Sequence, residues 1–375
     1  MVCGDLVPTE SNMMLFEQDA AEELVGTCLL EILNRRDICV CNLEAPVVDE
    51  TSPIKKCGPN LSMPTVALNA LHSIGITTVN LANNHILDQG IGGIESTIKE
   101  LDKKKIAHFG AGSDLASADN YFVFTDGIIK IGIYGVAEHE FSIATENSPG
   151  ANPYDPLITY ERIKSIKSQC DFLLLLYHGG IEEYRYPTPN LQRVCHRFVE
   201  FGADFVICQH SHCIGCEEEY QNATIVYGQG NFIFDRKDNE YWENGLIIVL
   251  DIDDKRVEKS YSPIVKRGAV IRLANMEEKD AILENFKKRS KLVYNRNALE
   301  KEYDHYSEEH FRQYLRAFRG KKSILTKILI RILGNDFVYN HYNNQDFIRM
   351  RNYLECEAHY ETFLRALKNK SQTLE

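Results

Sequence analysis

A chain of 375 residues with 44% hydrophobic side chains can bury a substantial core, and its length suits one large domain or two. The formal charge of −12 is uneven: residues 1–274 carry 23 basic and 39 acidic side chains, residues 275–375 carry 19 and 15. No apolar run reaches about 18 residues, which excludes a helical membrane span, and no charged-then-apolar leader is read at the start. An odd count of 11 cysteines, several of them in apolar strand-like runs, leads to the expectation of a cytoplasmic protein with free thiols.

In chain order, the first strand ends at Gly4-Asp5, after Met1 to Cys3. Apolar spacing predicts a helix over 20–36, a strand over 38–43, and a helix over 64–75 with proline near its first turn and glycine at its end. A strand over 76–81, a helix over 94–105 and a hairpin of 121–125 with 128–136 around Asp126-Gly127 follow. Then come a helix over 157–170, a strand over 172–177, a helix over 189–201 and a strand over 203–208. This alternation predicts an α/β domain with helices covering the sheet faces. Segments 224–227, 246–252, 257–262 and 269–273 are purely strand-like, which predicts a second, more antiparallel sheet packed on the first. Beyond residue 275 the pattern is helical, at 281–293, 308–318, 324–333 and 347–367. The expected organisation is therefore an α/β domain over 1–274 and an all-α, basic region over 275–375.

The strand ends carry the chemistry. Five apolar runs lead into ligand-type residues: Asp5, Asn42-Leu43-Glu44, Asn83-Asn84-His85, His178, and Gln209-His210-Ser211-His212. Carboxyl ends of strands are where open α/β sheets place their ligands. Asp5, Glu44, Asn84, His178, His210 and His212 form an oxygen and nitrogen set suited to manganese, iron or zinc, as one ion or two. Two cations about 3.5 to 4 Å apart supply the charge neutralisation that phosphoester cleavage needs. The plain alternative for each residue alone is a hydrogen-bonded loop position: Asn83 and Asn84 tolerate left-handed turns, and His85 could cap the following helix.

These same residues resemble a known family. Asn42-Leu43-Glu44-Ala45-Pro46, Asn80-Leu81-Ala82-Asn83-Asn84-His85-Ile86-Leu87-Asp88-Gln89-Gly90, His178-Gly179-Gly180-Ile181-Glu182, Gly202-Ala203-Asp204 leading to His210-Ser211-His212, and Tyr227-Gly228-Gln229-Gly230-Asn231-Phe232 are similar to the bacterial capsule-synthesis family CapA, also linked to poly-gamma-glutamate production. The resemblance covers about residues 3–236. It implies a metallophosphatase-like sandwich of two mixed sheets flanked by helices. By position, Asp5 resembles a first-metal aspartate, Glu44 a bridging carboxylate, and Asn84, His178 and His210 second-metal ligands. His212 would return to the first metal, and His85 would be the catalytic acid beside the leaving group. Two residues depart from the phosphatase pattern. Val7 stands where a histidine ligand is expected, leaving the first metal short unless Asp88, Glu182 or Asp235 helps, and Glu183 stands where tyrosine is expected.

Lys56 and Arg185 are loop cations that could grip a phosphate or polymer carboxylate, with Glu182 and Asn231 as further substrate-binding positions; plain surface charge is the alternative. Glu138 and Glu140, after the strand over 128–136, could line the same crevice or simply be solvated. Cys213 and Cys216 have zinc-like spacing, but no second suitable cysteine pair exists. The basic stretch over 312–331 could touch an anionic membrane surface, or pack on the acidic domain. No nucleic-acid module and no P-loop occurs, and Gly90-Ile91-Gly92-Gly93 lacks dinucleotide spacing. Two functions follow: a metal-dependent, phosphoesterase-like hydrolase acting on a phosphorylated sugar or polymer in capsule biosynthesis, or a noncatalytic assembly factor binding an anionic polymer or the synthesis machinery.

Overall fold

A computed structural model describes residues 1–253, 256–318, 331–332, 336–355, 359–360, 362–364 and 367. Strands and helices alternate through β1 (Val2–Leu6), α1 (Met13–Glu17), α2 (Ala21–Val25), α3 (Thr27–Leu33), β2 (Val40–Leu43), α4 (Leu68–Ser73), β3 (Thr78–Asn80), α5 (Gly90–Lys104) and β4 (Ala107–Phe109). They continue through β5 (Ala111–Gly112), α6 (Leu115–Ala118), β6 (Tyr121–Thr125), β7 (Lys130–Ala137), β8 (Gly150–Ala151), α7 (Thr159–Lys167), β9 (Phe172–His178), α8 (Pro189–Glu200) and β10 (Phe205–Gln209). After β11 (Ile214–Tyr220), β12 (Ala223–Gln229), β13 (Asn244–Ile252), β14 (Val257–Arg267) and β15 (Val270–Leu273) come α9 (Met276–Val293) and α10 (Arg296–Phe318).

Two mixed sheets flanked by helices make the domain, the layout that the sequence resemblance implies. One runs β15-β14-β13-β1-β2-β3-β4 and the other β11-β12-β10-β9-β7-β6, with a two-stranded β5-β8 ribbon beside them. The first sheet is antiparallel from β15 to β1 and parallel from β1 to the β4 edge, whereas the second is parallel through its centre with one antiparallel pair at each edge. The strand-rich segment over 224–273 does not form a sheet of its own. β13 pairs antiparallel with β1 and brings β14 and β15 into the first sheet, whereas β12 pairs parallel with β10 in the second. The helix expected over 20–36 is broken by Gly26, whose φ of 71° is left-handed and separates α2 from α3.

Side-chain alternation explains both layers and site. In β9, Phe172, Leu174 and Leu176 join Val2, Val40, Ile207 and Ile248 in a cluster between the sheets. Leu173, Leu175 and Tyr177 point the other way, against Ile163, Cys195 and Phe198 of α7 and α8. Helix α8 begins where the Thr188 side chain accepts from the Leu191 backbone N–H, with Pro189 in its first turn. The same alternation carries His178, the last residue of β9, to the inter-sheet face. In β2, Cys41 faces α1 to α5 while Val40 faces inward, so Asn42 also faces inward. Between Val2 and Asp5, β1 spends three steps against two of β2, since Val2 pairs with Val40 and Asp5 with Asn42. That bulge turns Asp5 to the same side as Asn42.

The chain divides into two compact units, Met1–Leu299 and Glu300–Glu375. Helix α9, begun by a reciprocal Asn275–Glu278 capping box, belongs to the first unit, where its Phe286 enters the inter-sheet cluster. In the second unit, α11 (Asp336–Tyr339) and α12 (Asn344–Glu355) follow the rest of α10, and the Phe347 ring meets those of Phe311 and Tyr339. Most of the basic stretch over 312–331, and the helix expected over 324–333 apart from 331–332, lie outside the described residues. No described helix is long and apolar enough to cross a membrane, and every described cysteine is free.

Candidate metal centre

The carboxyl ends of the central strands of both sheets meet at one place. Asp5 ends up near the tip of β1, Glu44 just past β2, Asn84 in the turn after β3, His178 at the tip of β9, and His210 and His212 just past β10. All six are buried, Glu44 completely. Ligand-type atoms of Asp5, Glu44 and His178 lie within 4.8 Å of one another, and so do those of Glu44, His210 and His212. Glu44 is common to both triads.

Hydrogen bonds set the individual side chains. Asn42 Nδ2 donates to Asp5 Oδ1 at 2.8 Å and lies 3.2 Å from His178 Nδ1. His178 Nε2 lies 3.0 Å from Asn84 Oδ1 and 3.4 Å from Glu44 Oε1. Asn83, beside it, is bound to β2: its Nδ2 donates to Asn42 Oδ1 and to the Leu43 carbonyl, tying the turn after β3 to that strand. His212 Nδ1 lies 2.8 Å from Asn231 Oδ1 and 3.4 Å from Asp5 Oδ2. The Trp242 ring packs on the His212 imidazole with centroids 4.3 Å apart. His210 and His212 both hold positive φ, 84° and 53°, a costly backbone for histidine that the surrounding contacts sustain.

Charge in this buried space is unevenly tolerated. Burial, and then the Asp5 charge, pushes the Glu44 carboxyl up to about 8. Burial would also raise Asp5, but the His212 hydrogen bond, the nearby imidazoles and Asn42 outweigh it and hold it at about 2. Burial lowers His178 to about 4, and it lowers His210 as well, helped by His178 and His212. For His212 burial is overcome by Glu44, Asp5 and Asn231, which lift it to about 9.

The residues present fit a cation. Both Glu44 carboxylate oxygens and His210 Nδ1 are buried and have no hydrogen-bond partner, a costly state for polar atoms unless a ligand satisfies them. Mixed carboxylate, amide and imidazole donors suit manganese, iron or zinc.

None of the other predicted residues belongs to either triad. His85 is near the cluster, its Nδ1 2.6 Å from Asp88 Oδ2. Lys56 is not an open cation: its ammonium sits 2.5 Å from Asp88 Oδ1, with side-chain exposures of 2% and 0%. Asp88 is thereby occupied by Lys56, His85 and the Leu61 backbone N–H. Asp235 accepts from Thr9 and Ser11. Arg185 donates to the Ile214 carbonyl at 3.1 Å and stacks over Tyr241. Glu182 is exposed, and Glu183 accepts from Asn239 and from the Trp242 indole N–H. Asn231 is fully buried against His212, and its carbonyl accepts from Lys266 at 2.8 Å. Val7 packs in the core beneath the helices of the first sheet. Cys213 and Cys216 are buried and join neither triad. Sequence reasoning named Asn42 only within the Asn42-Leu43-Glu44 string, without a role of its own, and passed over Lys266 and Trp242. Asn42 carried a signal, since period-two alternation in β2 puts it on the face of Val40; the other two did not.

Residues 1–236 match the family described as "Bacterial capsule synthesis protein PGA_cap". The chain is 28% identical over 239 residues to the PGA biosynthesis protein CapA of Bacillus subtilis (strain 168), covering 62% of each chain. It is 27% identical over 213 residues to the capsule biosynthesis protein CapA of Bacillus anthracis, covering 54% of this chain and 52% of that one. A probable polyglutamine synthesis accessory protein of Mycobacterium tuberculosis (strain ATCC 25618 / H37Rv) is 27% identical over 213 residues, with 53% and 56% covered. The chain thus spans between about half and about three fifths of these relatives' lengths. Among solved structures, a phosphatase of Mycoplasma pneumoniae aligns at a TM-score of 0.43 with 15% identity, over 76% of this chain and 97% of that one. A 5'-nucleotidase of Candida albicans SC5314 aligns at 0.36 with 12% identity, over 80% and 54%.

Proposed function

Because the chain belongs to the bacterial capsule synthesis protein family PGA_cap, we propose that its clustered carboxylates and imidazoles make it a metal-dependent, phosphoesterase-like hydrolase serving capsule or exopolysaccharide production. The substrate is a phosphate linked to a sugar or polymer, and the partners are components of the capsule-synthesis machinery. The observation that carries this reading is Glu44: a carboxylate whose two buried oxygens have no hydrogen-bond partner, set among Asp5, His178, His210 and His212.

Asp5, Glu44, Asn84, His178, His210 and His212 would hold the one or two ions, with Glu44 common to both triads. Manganese, iron or zinc there supplies Lewis acidity and charge neutralisation for phosphoester cleavage. Asn42 keeps Asp5 turned into the site, and Asn231 with Trp242 keeps the His212 ring in place. His85, anchored through Nδ1 on Asp88, presents Nε2 for proton transfer to the leaving oxygen. Purified protein with manganese is expected to hydrolyse a nitrophenyl phosphomonoester or phosphodiester, and Asp5→Ala or His210→Ala to abolish the turnover. Equal turnover by parent and both variants overturns the proposal.

Val7 favours a second reading. It is buried in an apolar cluster where the phosphatase pattern has a ligand, so the Asp5 and His212 side is the poorer half of the site. On this reading the protein is a noncatalytic assembly factor that binds an anionic polymer or a synthase subunit. A purified protein that retains no transition metal, and gains no thermal stability when one is added, supports it over the hydrolase.

A further inference from the structure

An asparagine beside a cation site has two ends of similar size, an oxygen that attracts the cation and an NH2 that repels it. Asn84 is buried with Oδ1 3.0 Å from His178 Nε2, and its Nδ2 donates to Glu140 Oε2 at 2.8 Å. Glu140 comes from the loop after β7, which contributes none of the candidate ligands. We propose that Glu140 is a positioning residue whose carboxylate, by accepting the amide N–H of Asn84, fixes the Asn84 oxygen towards the cation site. This deepens the metal-site reading and rests on it.

A carboxylate is acceptor-only, so it discriminates between the two amide orientations in a way that water does not. Were the amide to flip, its NH2 would face the cation and its oxygen would face the Glu140 carboxylate, setting two acceptors against each other. The loop also holds the backbone of the same turn: the buried Ser142 hydroxyl donates to the Asn84 carbonyl at 2.6 Å and accepts from the Leu87 N–H at 3.2 Å. Rotation of Asn84 is thus restrained at side chain and main chain together. Glu138, two residues earlier, is engaged differently, accepting from the Gly180 N–H and the Tyr177 hydroxyl. Carboxylates behind metal ligands orient them, and losing one typically costs about 10- to 100-fold in metal affinity or activity.

The test is calorimetric titration of manganese into the full chain and into Glu140→Ala, Glu140→Gln, Asn84→Ala and the Asn84→Ala/Glu140→Ala double variant. Glu140→Ala is expected to weaken manganese binding by about 10-fold or more, whereas Glu140→Gln, whose side-chain oxygen still accepts, stays close to the parent. In the Asn84→Ala background, Glu140→Ala is expected to cause no further loss, because its effect runs through Asn84. Parent-like affinity in Glu140→Ala overturns the proposal. So does an equal loss in Glu140→Gln, or a further loss in the double variant, either of which means that charge rather than orientation acts. A parent that takes up no manganese sinks the metal-site reading and this inference together. A parent that binds, with Asn84→Ala weakened and Glu140→Ala not, sinks the positioning role alone.

Discussion

Replacing Lys56 by methionine separates two roles for this side chain. The Lys56 ammonium and Asp88 carboxylate are 2.5 Å apart, with side-chain exposures of 2% and 0%, and the other Asp88 oxygen takes His85 Nδ1 and the Leu61 N–H, each at 2.6 Å. Lys56→Met leaves a buried carboxylate with two hydrogen bonds and no strong counter-charge, and stranding one partner of a buried pair costs about 3–5 kcal/mol. Asp88→Asn strands the ammonium instead and carries a similar cost. The Lys56→Met/Asp88→Asn double variant removes both charges, so its loss is expected to fall short of the two single losses together by a few kcal/mol, about the size of the stranded-charge penalty. Urea unfolding of the metal-free protein, followed by circular dichroism for the parent and the three variants, measures each quantity. A lysine that gripped substrate from an open loop would behave otherwise: its removal would leave stability within about 0.5 kcal/mol and raise KM. A parent-like unfolding free energy for Lys56→Met refutes the buried-pair reasoning.

Trp242, the only tryptophan of the chain, rests on His212, so zinc binding is expected to change its emission and His212→Ala to abolish the change. Unchanged emission at a zinc concentration that saturates binding by calorimetry removes His212 from the ligand set. Glu44 is raised to about 8 and His212 to about 9, the latter in part by the Glu44 charge itself, so the pair holds at least one proton near neutral pH in the ion-free protein, whereas burial lowers His178 and His210. A cation must displace it, so binding near pH 7 is expected to release at least one proton and to tighten as the pH rises. Calorimetry in buffers of different ionisation heat counts the protons released, and an affinity that stays flat between about pH 6.5 and 8.5 contradicts the assignment. A Cβ on Gly4 would run into the Gly230 carbonyl oxygen, while the neighbouring Phe232 N–H is bonded to the Asp5 carbonyl. Gly4→Ala is therefore expected to cost about 1–3 kcal/mol in urea unfolding and to weaken manganese binding, and parent-like values in both would mean that this close approach is not needed.

What could be read from the sequence depended on whether a signal was local. β9 is legible because both its faces are covered: Phe172 to Tyr177 is an unbroken apolar run, and the polar residue that ends it, His178, stands out. Asp5, Glu44, Asn84, His210 and His212 are legible for the same reason, as ligand types at the ends of buried runs. β11 escaped notice because Glu217, Glu218 and Glu219 contradict a strand pattern; antiparallel pairing with β12 makes it a strand. The place of β13 beside β1 is likewise a pairing across some 245 positions, which no local period encodes. Lys56 was read as exposed because lysine rarely is buried, and its burial follows from a loop folding back so that Ser52 meets Gln89, and Ile54 and Leu61 meet Asp88. Asp5 shows how local and distant signals combine. A strand of strict alternation through Val2 and Gly4 would point Asp5 at the helices; the bulge against β2 reverses it, and the close fit of Gly4 against Gly230 holds that bulge in place. The identity of the candidate ligand is thus written at one position, but its direction is decided by a glycine next to it and by a loop more than 220 residues away.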